Sequence, residues 1–178
     1  MKNRPADLIE RAIGAEDWAG ARKLIRQELK MDPNHHWFLS RLALTYYEQR
    51  QYLRALHIEA KALQIAPYCP LAIWGYAGSL DMLGRGKEAL KRYRWLLRRG
   101  EQDLAYGDCG EGIRAARSLI ADCHYRVALI LEGMGQRKRA LAAYAEHLAR
   151  RRPGTRSIYP LRKVKARYKR LESQKVRS

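Results

Sequence analysis

The chain has 178 residues, 47% of them hydrophobic and 30% charged, with a formal net charge of +18 and a pI near 10.2. That composition excludes a chain disordered by default and suits one domain or a short repeat array. The basic excess favours an acidic partner such as nucleic acid or an anionic surface, and says nothing of fold. No apolar run approaches the ~18 residues of a membrane helix. The opening Met1-Lys2-Asn3-Arg4-Pro5 has no signal-like apolar core, so a cytoplasmic protein is expected. Cys69, Cys109 and Cys123 are odd in number and lack metal-type spacing. They fit idle thiols in a reducing compartment.

In chain order, the first helical stripe is Leu8, Ile9 and Ala12, followed by a turn at 14–17 and a second stripe of Ala21, Ile25 and Leu29. The pattern returns as Leu42, Ala43 and Tyr46, a turn at 49–51, then Ala55, Leu56 and Leu63. It returns again as Tyr76, Ala77 and Leu80, a turn at 84–86, then Ala89, Tyr93 and Leu97. Residues 101–111, with two glycines and four acids, read as a loop. Residues 112–132 read as one helix about two turns longer than the others, projecting past its neighbours. Its last part carries the fourth copy: Val127, Ala128 and Leu131, a turn at 133–136, then Ala140, Tyr144 and Leu148. After a break at Arg152-Pro153-Gly154, Ser157 suits a helix N-cap. Ile158, Leu161, Val164, Tyr168 and Leu171 then recur at helical spacing.

Ala21, Ala55 and Ala89 stand 34 residues apart, as do Pro33 and Pro67, while Ala140 follows Ala89 by 51, one period plus 17. Each unit is helix, tight turn, helix, and a period of this length marks stacked supersecondary units. The small residues have a physical reason: two helices approach to about 8–9 Å only where the contact side chains are small.

Leu42, Ala43, Tyr46, Ala55, Ala62 and Pro67 in the second unit resemble the tetratricopeptide repeat. The other units depart from it: Glu28 and His147 stand at the second small position of units one and four, and Leu80 and Leu96 replace an aromatic and a small residue in unit three. The resemblance implies an all-α, right-handed α-solenoid with four repeats in residues 1–156, at about 2–33, 36–67, 70–100 and 112–152, with an insertion at 101–120. A basic capping helix at 157–172 and a disordered tail at 173–178 complete the expected organisation.

The resemblance also implies a ligand groove lined by the first helix of each unit. The matching positions include Ala6, Glu10, Ile13, Gly14, Trp37, Ser40, Leu44, Tyr47, Glu48, Leu71, Trp74, Gly78, Asp81, Met82, Asp122, Tyr125, Leu129, Glu132 and Gly133. None is Lys or Arg, and five are acidic. Some relatives bind acidic chaperone tails through a clamp of basic and amide side chains. Here its positions hold Ala6, Glu10, Arg41, Leu71 and Gly75, so that function is rejected. The groove residues proposed for a partner segment are Glu10, Trp37, Leu44, Tyr47, Glu48, Trp74, Asp81, Tyr125 and Glu132, with Trp74 and Tyr125 readable equally as core rings.

Charge is concentrated at the C-terminus: residues 137–178 hold 15 Lys or Arg against two acids. A polyanion surface is expected from Lys91, Arg92, Arg98 and Arg99 in unit three and from Arg151, Arg152, Arg162, Lys163, Lys165, Arg167, Lys169 and Arg170 near the end. The bland alternative is a solvated cap. No metal site is expected at His35-His36, which lack a third spaced ligand. Cys109, Cys123 and His124 lack an orienting group for nucleophilic chemistry, and the glycines at 107–112 lack a P-loop context. The expectation is a non-enzymatic scaffold without cofactors that binds a protein segment that is apolar, with or without basic side chains. A nucleic-acid- or ribosome-associated protein and a self-associating module are the alternatives.

Overall fold

A computed structural model describes residues 4–174. The expected start of the first repeat at residue 2 and the expected tail beyond residue 174 lie outside the described residues. These residues form α1 (Pro5–Gly14), α2 (Trp18–Met31), α3 (His36–Glu48), α4 (Tyr52–Ile65), α5 (Pro70–Met82), α6 (Gly86–Tyr106), α7 (Ile113–Gly133), α8 (Arg137–Ala149) and α9 (Leu161–Ser173). Among the described residues there is no strand, and no helix is long and apolar enough to cross a membrane. Two compact units result, Met1–Arg85 and Gly86–Ser178. The division falls between the two helices of the third expected repeat.

The hairpin turn repeats its backbone conformation. In each of the four expected repeats one residue enters the left-handed region: Glu16 (φ 56°), Arg50 (φ 60°), Gly84 (φ 76°) and Gly135 (φ 71°). The next N–H, of Asp17, Gln51, Arg85 or Gln136, donates back to Ala12, Tyr46, Leu80 or Leu131, each time at 2.9 Å. This is the bond that satisfies a terminal carbonyl when a helix ends in a left-handed residue. Glycine takes that conformation freely; Glu16 and Arg50 show that the turn is imposed by the helices even where a side chain resists it.

In the first unit, Pro5 and Pro70 sit at the starts of α1 and α5, where a missing N–H costs nothing. The Asp17 carboxylate accepts from the Gly20 N–H at 2.8 Å and caps α2. Ala21, Ala55 and Ala77 are fully buried, as their place in the frame requires. Leu39, Ala62, Cys69 and Ala72 form one core cluster, with Leu29, Ile58 and Leu63 packed against it.

A buried acid interrupts this apolar interior. Glu59 on α4 is 3% exposed, and Ser40 on α3 donates to its carboxyl at 2.9 Å. Gly75 on α5 leaves room for that carboxyl; a Cβ there would strike it. Burial raises Glu59 from the usual 4.5 to about 8, against the opposing hydrogen bond from Ser40 and the charge of Arg41. At neutral pH it is therefore mostly a neutral acid. Ser40, expected to line the groove, is instead enclosed in this interior.

In the second unit, Gly100 (φ 76°, ψ 174°) breaks α6, but the chain resumes helical form to Tyr106. The expected loop over 101–111 is thus only 107–112. Its glycines and acids suggested a loop, whereas Leu104 and Ala105 are buried and hold the segment helical. The 21-residue α7 has the expected length. Its first turns do not project: Ala116 and Ile120 are buried, and Glu101 pairs with Arg117 at 2.9 Å. Ser157 does not cap α9. Its hydroxyl accepts from the Tyr159 N–H at 3.0 Å, and α9 begins after Pro160 and runs through Ser173, inside the segment expected to be disordered. Val164 and Leu171 are buried, so α9 is a genuine cover for the end of this unit.

Two outcomes follow from this packing. Glu59 keeps its proton to higher pH in the folded chain than in the unfolded one, so its contribution is full below pH 4.5 and is lost as pH rises through about 8. Glu59→Gln should remove this contribution, detected as a denaturant midpoint that falls less than the parent's, or rises more, between pH 5 and pH 8; ~3 kcal/mol is the scale of the difference. Ala55→Leu and Ala89→Leu should each overpack a helix contact and lower stability by about 1–3 kcal/mol, measured by chemical denaturation.

Candidate functional site

In the first unit, α1, α3 and α5 carry the expected groove positions. Glu10 on α1 forms an ion pair with Arg41 on α3 at 2.5 Å. The Arg41 guanidinium also lies 5.0 Å from the centre of the Trp37 ring. Arg41, the one basic residue at the clamp positions, is thus committed within the chain. Trp37 meets Phe38 edge-on at 5.3 Å, and Tyr47 meets Tyr52 in the same manner at 5.3 Å. Leu44, Trp74 and Asp81 are half-buried, and Glu48 is exposed. Partial desolvation first, and the nearby charge of Glu16 second, hold the Glu48 carboxyl above its usual range. Two acids therefore crowd one edge of this aromatic surface, where a cation would relieve their repulsion.

In the second unit the corresponding surface of α7 is covered by the chain's own C-terminal segment. The Arg156 N–H donates to Ser118 Oγ at 3.0 Å, and the Ile158 N–H donates to Asp122 Oδ2 at 3.3 Å. Tyr159 lies 4.2 Å from the Tyr125 ring, which is buried and also meets Tyr144 and His147. Arg167 donates to Glu132 Oε2 at 2.8 Å, and Arg170 donates to Oε1 at 3.0 Å. The segment therefore follows α7 in the same direction, touching 118, 122, 125 and 132 in turn. Arg137 on α8 closes the end by donating to the Leu171 and Glu172 carbonyls at 2.8 and 2.7 Å.

Electrostatics match these contacts. Burial raises the Asp122 carboxyl, outweighing hydrogen bonds from Ser157 and Ile158 and the charge of Arg151. Burial would raise Glu132 too, but hydrogen bonds from Arg167 and Tyr144 and the charges of Arg167 and Arg170 hold it below its usual range. Tyr125 and Glu132, expected as groove residues, thus face an intramolecular basic segment. The sequence did carry one signal for it: Tyr159 stands 34 residues after Tyr125, one period on.

The expected polyanion residues divide by environment. Arg167 and Arg170 are held by Glu132, Arg151 donates to the Tyr159 carbonyl at 2.9 Å, and Arg99 pairs with Asp103 and lies over Trp95. Lys91, Arg92 and Arg98 on α6, Arg152 in the loop between α8 and α9, and Arg162, Lys163, Lys165 and Lys169 on α9 are exposed. Cys123 is fully buried, and burial pushes its thiol well up, which opposes thiolate chemistry there. Desolvation, followed by the charge of Arg150, lowers His124 to about 4 and keeps it neutral. His147 is buried with Nδ1 2.8 Å from the Ala121 carbonyl, and desolvation likewise favours its neutral form.

Helical hairpins joined by the same turn, with alanines at their contacts, define a helical-repeat protein. No protein-family model matches the sequence, and no curated protein matches it. Solved structures do. A MamA crystal structure aligns over 82% of this chain and 70% of its own, at 21% identity and a TM-score of 0.59. MamA from Desulfovibrio magneticus aligns over 83% and 73%, at 16% identity and a TM-score of 0.62. A thermophilic TPR protein of Thermus thermophilus aligns over 94% and 97%, at 17% identity and a TM-score of 0.51. The fold is the all-α solenoid fold of tetratricopeptide-repeat proteins.

Replacing Glu132 with Ala should free the half-exposed Arg167 and exposed Arg170 side chains, leave the part-buried Tyr144 hydroxyl without its acceptor, and lower stability by about 1 kcal/mol. Amide exchange in α9 should quicken at the same time. Unchanged exchange across Leu161–Ser173 would mean that the carboxylate does not hold the segment.

Proposed function

We propose that this chain is a protein-interaction scaffold whose first-unit surface on α1, α3 and α5 takes a segment of a partner protein. The segment would combine apolar or aromatic side chains with Arg or Lys. One observation carries this reading: the equivalent surface of α7 already holds such a segment, with Tyr159 against Tyr125 and two arginines on Glu132. The first-unit surface offers similar chemistry in Trp37, Leu44, Tyr47 and Trp74 beside Glu48 and Asp81. Large rings of this kind anchor partner chains, while the acids select for a cation and speed its approach. The TPR fold is compatible with this role, and it assigns no partner.

A direct test changes the sign of the surface. Glu48→Lys combined with Asp81→Lys should weaken binding of an isolated partner segment at least ~10-fold, a loss of about 1.4 kcal/mol or more, measured by calorimetry. Unchanged affinity would remove this surface from consideration.

A second reading is supported by the exposure of Arg162, Lys163, Lys165 and Lys169 on α9. Together with Lys91, Arg92 and Arg98 they would hold a polyanion such as RNA. Because Val164 and Leu171 are part of the core, the test is substitution and not deletion. Changing the four α9 residues to Gln should shallow the log–log salt dependence of RNA binding by up to roughly four contacts. An unaltered slope would place any nucleic-acid contact elsewhere.

A further inference from the structure

A cavity of about 260 Å³ lies in the second unit, lined by Glu101, Arg117, Arg150, Arg152, Pro153 and Thr155. It brings together the kink after Gly100, the first turns of α7, and the loop following α8. Three guanidinium groups meet there with one carboxylate. Glu101 receives a hydrogen bond from Arg117 Nε at 2.9 Å and lies 4.0 Å from an Arg150 nitrogen, too long for a hydrogen bond. Outside the lining, Glu146 accepts from Arg150 at 3.3 Å. Arg150 Nε is buried and has no hydrogen-bond partner among the described residues. Arg152 is exposed and enters no ion pair among the described residues.

We infer that this cavity is a binding site for a phosphomonoester dianion. The lining carries two more positive charges than negative ones, and Glu146 beside Arg150 offsets part of this from outside, so the cavity favours an anion. A phosphomonoester, at about −1.5 to −2 near neutral pH, takes up more of that excess than a carboxylate does. Guanidinium forks match phosphoryl oxygens bidentately, and their hydrogen bonds to charged acceptors are the strong ones. The Thr155 hydroxyl adds a further donor at the rim. Glu101 occupies part of the field that the ligand would take, so it acts as an internal competitor that keeps the empty cavity from being three unopposed cations. The lining shares no residue with the first-unit surface or with the exposed basic residues of α9. It involves no bond-making, only recognition.

The same phosphoryl chemistry has two sources, a phosphorylated protein side chain or a small phosphate-bearing metabolite. The experiment is a nitrogen-15 NMR titration of the full chain with inorganic phosphate, against chloride at equal ionic strength. Saturable shifts at the Arg117, Arg150, Arg152 and Thr155 amides are expected with phosphate and not with chloride. Arg152→Gln should weaken binding roughly tenfold, and Arg150→Gln at least as much. Glu101→Gln should tighten it several-fold. Arg152 is exposed, so its substitution keeps the test valid if the Arg150 variant fails to fold. A phosphoserine peptide binding more tightly than inorganic phosphate would identify a protein source, and equal affinity a small-molecule one. Perturbations that chloride reproduces or that never saturate, or a Glu101→Gln variant that binds no more tightly than the parent, would overturn the site.

Discussion

The close approach of helices through small side chains is the constraint on which the rest depends. Ala21, Ala55, Ala89 and Ala140 are all buried to within 1%. At each of these points a larger side chain would push two helices apart. Because the helices are close, the chain between them has room only for the tight left-handed turn. Because that turn is fixed, each hairpin sets its first helix against its second in the same way. The repeated bonds at Ala12, Tyr46, Leu80 and Leu131 are the backbone expression of this constraint. Even Glu16 and Arg50 accept an unfavourable backbone to satisfy it.

Much of this was legible in the sequence, because contact size and turn geometry are local requirements. The period of 34, the four hairpins and the long α7 are written in spacing alone. The segment from Glu101 to Tyr106 was not, because two glycines and several acids outweigh Leu104 and Ala105 until a partner helix is supplied. Nor was the fate of Glu59. An acid on α4 looks like any solvated acid until Gly75, on a different helix, is seen to make room for it. The frame implied an open line of groove residues at Asp122, Tyr125 and Glu132, and it could equally have been carried one period further to Tyr159. A frame gives positions; which chain segment fills the space before them is a long-range fact.

The charge of the molecule takes a different meaning once its placement is known. An excess of +18 suggests a generally basic object. In the structure a good part of it is employed internally: Arg41 with Glu10 and Trp37, Arg137 at the end of α9, and Arg167 and Arg170 at Glu132. These arginines act as directional donors more than as a diffuse field, a role lysine fills less well. The lysines of α9 stay in solvent. The division is between cations held by an acid, a carbonyl or a ring and exposed ones such as Arg162, Lys163, Lys165 and Lys169, and it separates charge that organises the fold from charge that remains available to solution.

The segment laid along α7 also orders events in time. Synthesis proceeds from the N-terminus, and domains fold as units while the chain emerges. The first unit, Met1–Arg85, is compact by itself. The second unit differs: Asp122, Tyr125 and Glu132 wait for Ile158, Tyr159, Arg167 and Arg170. Throughout that interval, a nascent chain displays an acidic, aromatic strip that the finished protein conceals. Any basic segment nearby, including that of another copy still being made, meets the strip before its own covering arrives.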